Sequence, residues 1–119
     1  YATIQNQRGE LVEPTAESIS AAASGVIPAD TRTSITNADA AGAYPIATFT
    51  WVIIYKEQNY SDRSKEQATA TLDLLQYILS DEAQKITSEV HYAPLPAQAK
   101  ELSLKNLKTV TYDGVTILQ

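Results

Sequence analysis

The spacing of apolar and polar positions changes period several times along the chain, and each change predicts an element. From Ile46 to Tyr55 an alternation of hydroxyl and apolar residues passes into an almost unbroken β-branched and aromatic run, Trp51-Val52-Ile53-Ile54-Tyr55. Continuous apolarity over so short a stretch is the pattern of a strand covered on both faces, as in a largely parallel α/β sheet. Pro45 fixes its own φ and keeps Tyr44 extended, so the chain enters this strand at a set angle. Beyond the turn Asn59-Tyr60-Ser61-Asp62 the period becomes helical. Ala68, Leu72, Leu75 and Leu79, with Thr71 and Ile78, recur at three-four spacing and predict a helix over about residues 63–80 with one core stripe. Ser80-Asp81-Glu82 breaks that helix and caps a second one, which Ala83, Ile86 and Val90 continue.

The flanking stretches carry turn and cap signals. Tyr1 to Gln5 and Glu10 to Val12 read as extended pieces around Asn6-Gln7-Arg8-Gly9, where glycine is free to take positive φ. Thr15 can cap a helix with Glu17 in its first turn and Ile19, Ala22 and Ala23 on one face, and Gly25 stops it. Val26 to Gly42 is polar and small, anchored by Ile27 and Ile35, and reads as loop with one short strand near Thr33 to Ile35. Pro94 and Pro96 impose an extended elbow. Ala97 to Leu107 is helical with Leu102 and Leu107 inward, and Val110 to Leu118 alternates around Asp113-Gly114, the signature of a terminal hairpin.

Four stretches, taken in order, carry a family resemblance. Leu11-Val12-Glu13-Pro14-Thr15-Ala16-Glu17-Ser18-Ile19, Tyr44-Pro45-Ile46-Ala47-Thr48-Phe49-Thr50-Trp51 with the apolar run to Lys56, Leu74-Leu75-Gln76-Tyr77-Ile78-Leu79-Ser80, and His91-Tyr92-Ala93-Pro94-Leu95-Pro96 together resemble the C-terminal portion of the phosphate-binding proteins of ABC importers. His91 is a departure, since the family usually has Gly or another small or acidic residue there. The resemblance implies an α/β fold: the C-terminal part of a two-lobed periplasmic-binding-protein-like structure, an incomplete sheet with packed helices and a terminal hairpin. On that plan residues 1–41 end the second lobe, 42–46 cross the hinge, and 47–119 form the C-terminal part of the first lobe. The small-residue run Ala38 to Ala43 suits a hinge, and equally an ordinary surface loop.

The same resemblance implies a solute-binding protein that captures inorganic phosphate by lobe closure, without catalysis, and delivers it to an ABC permease. It places such a protein in the periplasm or outside the cell, membrane anchoring being through a segment before residue 1. The family's phosphate ligands lie in upstream segments, and no Ser-Gly-Thr or Arg-x-x-x-Ser-Gly motif occurs here, so no residue is assigned as a ligand. Phosphate would then be bound through a missing N-terminal part. The alternative is a non-catalytic interaction module that reuses this half-fold beside a complementary N-terminal segment or chain. Either way, sheet edges should be left unpaired and apolar surface exposed.

Composition narrows the partners. The net charge is −5, which argues against nucleic acid, because phosphate-backbone binding needs clustered Lys and Arg. An acidic balance does not exclude inorganic phosphate, which a local set of N–H groups and one Arg can hold. The absence of cysteine removes disulfides, thiolate catalysis and cysteine metal sites. The chain contains no Met and opens mid-pattern on Tyr-Ala-Thr-Ile, from which a fragment or processed chain is expected.

No site chemistry is assigned to the remaining candidates. His91, the only histidine, lacks metal-ligand neighbours, and Ser88 one helical turn away is not oriented by a third group. Asp81-Glu82 are adjacent on a helix, where they do not face each other and suit a first turn. Thr48 and Thr50 share one strand face and could reach an oxyanion, but β propensity accounts for them better. Trp51, Tyr55 and Tyr77 read as core packing rather than a binding platform, and Lys100, Lys105 and Lys108 as a solvated helix face. No cofactor is expected.

Overall fold

The N-terminal hairpin is built by one buried asparagine. Asn6 donates from its backbone to the Glu10 carbonyl at 2.9 Å, while its side-chain oxygen accepts from the Arg8 and Glu10 amides at 3.0 Å each. Gly9 closes the turn at φ +81, as expected. These bonds set β1 (Ile4–Gln5) antiparallel to β2 (Leu11–Val12), with Ile4 opposite Val12. α1 (Ala16–Ala22) begins at the predicted Thr15 cap, in a reciprocal box with Ser18, and ends three residues before Gly25. Its face of Ala22 and Ala23 joins Ile35, Ala43 and Ala47 in a small core, against which Ile19 and Phe49 pack. The stretch near Thr33 to Ile35 forms no strand, although Ile27 and Ile35 are buried as anticipated.

The computed structural model describes residues 1–118; the last residue of the expected 47–119 portion lies outside them. α2 (Lys65–Ile78) starts at Ser64, whose hydroxyl accepts from the Gln67 amide in a second capping box. Ala68 and Leu72 are fully buried, but Ile78 is exposed, so the stripe is narrower than its spacing suggested. α3 (Asp81–Glu89) is capped by Ser80. Here Ile86 and Val90 are exposed and the buried residue is Gln84. The Gln84 amide donates to the Ile78 carbonyl at 2.9 Å and its oxygen accepts from the Leu95 amide at 2.7 Å. One polar side chain thus fixes the Pro94–Pro96 elbow to the end of α2. α4 (Ala97–Leu107) begins at Pro96 and packs on α2. The terminal hairpin pairs β3 (Thr111–Tyr112) with β4 (Val115–Thr116) across Asp113 and Gly114, at φ +52 and +74, the geometry of a type I′ turn.

The segment Ile46–Tyr55 departs most from expectation. It forms no regular strand; among the described residues the one β-bridge near it pairs Glu57 with Thr111, and a side-chain bond from Thr36 to the Ala47 carbonyl at 3.1 Å ties its start. Ile46, Trp51, Val52, Ile53 and Tyr55 are all exposed, Ile53 at 92 %. The double-sided coverage and the core packing of Trp51, Tyr55 and Tyr77 do not occur, because among the described residues no strand lies beside this run. Phe49 and Trp51 meet edge to face at 5.7 Å, as do Tyr55 and Tyr60 at 5.0 Å, which shields only part of the rings.

The shape follows. The fold is mixed helix and strand, with two two-stranded sheets among the described residues. Its principal extents are 52 × 27 × 24 Å and its radius of gyration is 16.9 Å, against about 13.5 Å for a compact domain of this length. Its accessible surface is 7980 Å², roughly 1,600 Å² more than size scaling gives for a compact monomer. That excess is about twice what one partner buries in a standard interface.

Candidate functional site

The strongest candidate is a groove of about 540 Å³ beneath the exposed run. Residues 49–54 line one side, Leu75 of α2 and Leu79 at its C-cap another, and Ala99 and Leu107 of α4 a third. The loop around Asp30 closes one end. It is tied to α4 by the Asn106 amide, which donates to the Ala29 carbonyl at 3.1 Å. Asp30 and Arg32 are paired with each other at 3.0 Å, and between them Thr31 takes φ +60, a conformation that β-branched residues rarely adopt. The groove therefore offers apolar surface with one self-satisfied ion pair at its rim. Lys56 also lines it, and among the described lining residues no acid, base and nucleophile are hydrogen-bonded into a catalytic arrangement.

The residues considered for chemistry are dispersed. Thr48 is exposed and its hydroxyl donates to the Phe49 carbonyl at 3.3 Å, while Thr50 lines the groove without a hydroxyl partner shared with Thr48. Asp81 pairs with Lys100, which joins α3 to α4 and withdraws Lys100 from the solvated face assigned to it. The Lys100 ammonium hydrogen bond holds the Asp81 carboxyl below its ordinary value. Among the described residues no cluster of three or more His, Cys, Asp or Glu could hold a metal ion.

His91 has a backbone role. It sits just past α3 at φ +63, its amide reaching the Ser88 carbonyl at 3.4 Å while the Tyr92 amide donates to the Thr87 carbonyl at 2.8 Å. This crossed pair is a Schellman ending, whose left-handed position favours glycine. The departure noted in the sequence therefore places a strained residue where the resembled family usually has a small one.

Three curated proteins align with most of this chain. The phosphate-binding proteins PstS of two Xylella fastidiosa strains are 36 % and 35 % identical over 99 residues, covering 81 % of the chain and 26 % of each relative. The phosphate-binding protein PstS of Methanocaldococcus jannaschii is 29 % identical over 118 residues, covering 92 % of the chain and 30 % of the relative. The chain is a homologue of part of PstS. It spans between a quarter and a third of the length of these relatives. No protein-family model matches.

Beside the PstS likeness, the residues that spacing could not reveal are polar staples. Glu10 accepts from the Asn6 amide at 2.7 Å and from the Gly42 backbone at 2.8 Å, and these two bonds, in that order of weight, lower its pKa. Asn6 also donates to the Ala43 carbonyl at 3.2 Å, so the first hairpin holds Gly42 and Ala43 in place. Glu57 accepts four hydrogen bonds from residues 59–114, which hold its pKa at about 2; the Asn59 amide contributes most, then the Thr111 hydroxyl. No local pattern marks a carboxylate three of whose four partners lie over fifty residues away.

Proposed function

We propose that this chain is part of a solute-binding protein that captures inorganic phosphate for ABC-type import, and that the groups gripping the anion lie in the rest of such a protein. Residues 1–41 end one lobe, 42–46 cross, and 47–119 return to complete the other. Phosphate bridging the lobes stabilises the closed arrangement over the open one, and no bond is made or broken. The protein acts in the periplasm or outside the cell and hands phosphate to a permease. Among the described residues no helix is long and apolar enough to cross a membrane.

The observation that carries this proposal is the match to proteins named for phosphate binding, which covers 26–30 % of their length. The arginines support it. Arg8 is paired with Asp39 and Arg32 with Asp30. Arg63 lies over the Tyr60 ring and donates to the Gln67 carbonyl and the Thr71 hydroxyl. Each of the three guanidinium groups already has a partner within the chain, although the Arg63 Nε is buried without one. Gly42 at φ +67 and the buried Ala43, Tyr44 and Pro45 give the crossing a fixed platform on residues 1–41.

Titration calorimetry with inorganic phosphate tests this division of labour. The 119-residue chain alone should give no binding heat, and a full-length PstS-type protein containing it should bind. Micromolar binding by the chain alone would place the ligands within it and refute the proposal.

A further inference from the structure

The turn of the terminal hairpin seats a carboxylate of the chain itself. In its Asp113-Gly114 turn both central residues have positive φ, which aims two successive backbone N–H groups outward on one side. Such consecutive amides form a concavity that favours negative charge. Both point at Glu57: the Asp113 amide donates to Oε1 at 3.0 Å and the Gly114 amide to Oε2 at 3.1 Å. The Asn59 amide completes Oε1 at 2.9 Å, and the Thr111 hydroxyl completes Oε2 at 2.8 Å. Each carboxylate oxygen thus accepts two bonds, and three of the four donors are backbone groups, two of them in the turn.

The backbone contacts between the same segments are few. Gln58 donates to the Thr111 carbonyl at 2.8 Å and Thr111 to the Lys56 carbonyl at 2.9 Å. The side chains of Asn59 and Asp113 add one bond beside the cluster. A bridge this short sets register weakly, whereas a carboxylate seated across a turn admits one register only.

We propose that the Asp113-Gly114 turn is a binding site for a small carboxylate, which the chain fills with its own Glu57, and that this seating fixes the hairpin against the end of the exposed run. The site exists in the turn itself, so emptying it leaves a receptor for a free carboxylate of the same shape. The inference is independent of where phosphate binds.

Amide NMR and hydrogen exchange on the 119-residue chain test it, with wild type, Glu57→Ala and Glu57→Gln compared in sodium formate and in sodium chloride of equal ionic strength. In Glu57→Ala the Asp113 and Gly114 amides should exchange severalfold faster than in wild type. Formate should then shift both resonances saturably and restore their protection, while chloride does neither. Wild type should not respond to formate. Glu57→Gln keeps the shape but turns an N–H toward a donor, so it should lose part of the protection and remain insensitive to formate. Unchanged Gly114 protection in both variants would overturn the proposal. So would a variant that is folded but blind to formate in Glu57→Ala, or an equal formate response in wild type.

Discussion

Two regions of this molecule, both rich in apolar residues, behave in opposite ways. The helical region around α2 has its local signals answered nearby: Ser64 caps, Gln67 returns the bond, and Leu72 is fully buried. The run Ile46–Tyr55 is more hydrophobic, yet Ile53 stands 92 % exposed and no ladder reaches it. A helix satisfies its own backbone and needs only one covered face. A central strand needs neighbours on both edges and layers on both faces, and these come from distant sequence. The difference teaches that the run has the pattern of a central strand but, among the described residues, not the neighbours such a strand needs.

Paired truncations give the largest contrast. Leu72→Ala should destabilise the chain by about 2–5 kcal/mol, because it opens a cavity in a buried position. Ile53→Ala should change stability by no more than about 0.5 kcal/mol, since nothing covers that side chain. Urea unfolding of the chain measures both, and equal losses would abolish the distinction. Asn6→Ala should follow at about 1–3 kcal/mol, because it strands buried backbone donors and frees Ala43 from the first hairpin. Loss confined to the first forty residues in hydrogen exchange would identify that cause.

His91→Gly should stabilise by about 0.5–1 kcal/mol, since it relieves a left-handed residue at a helix end. A neutral or destabilising result would mean that the imidazole makes a compensating contact. The smallest effect is one of pH. Glu57, at about 2, and Glu10 and Asp81, both lowered, are more acidic folded than unfolded. Their stabilisation is therefore present above about pH 4.5, the ordinary carboxyl range, and is lost as pH falls toward 2. Glu57→Gln should flatten the lower end of that profile.

Local chemistry was readable in the sequence and assembly was not. The caps at Thr15 and Ser80, the turns at Gly9 and Asp113-Gly114, and the span of α4 all follow from residues within a few positions of each other. The apolar run was assigned a strand from periodicity, which reports what a segment is suited to and says nothing of whether a partner is present. Gln84 at the centre of α3's buried side was missed for the opposite reason. Its burial depends on two carbonyl and amide groups of other segments, while Ile86 and Val90 match the helical pattern and face solvent. Site residues were not legible at all, since no ligand motif of the resembled family occurs in the chain.

Hydrogen exchange at the amides of residues 48–54 tests the central contrast most directly, compared between this chain alone and the same residues within a full-length PstS-type protein. The expected result is near-free exchange in the chain alone and protection of several orders of magnitude in the longer protein, as strand neighbours close on both edges. Strong protection in the isolated chain, or none in the longer protein, would contradict it.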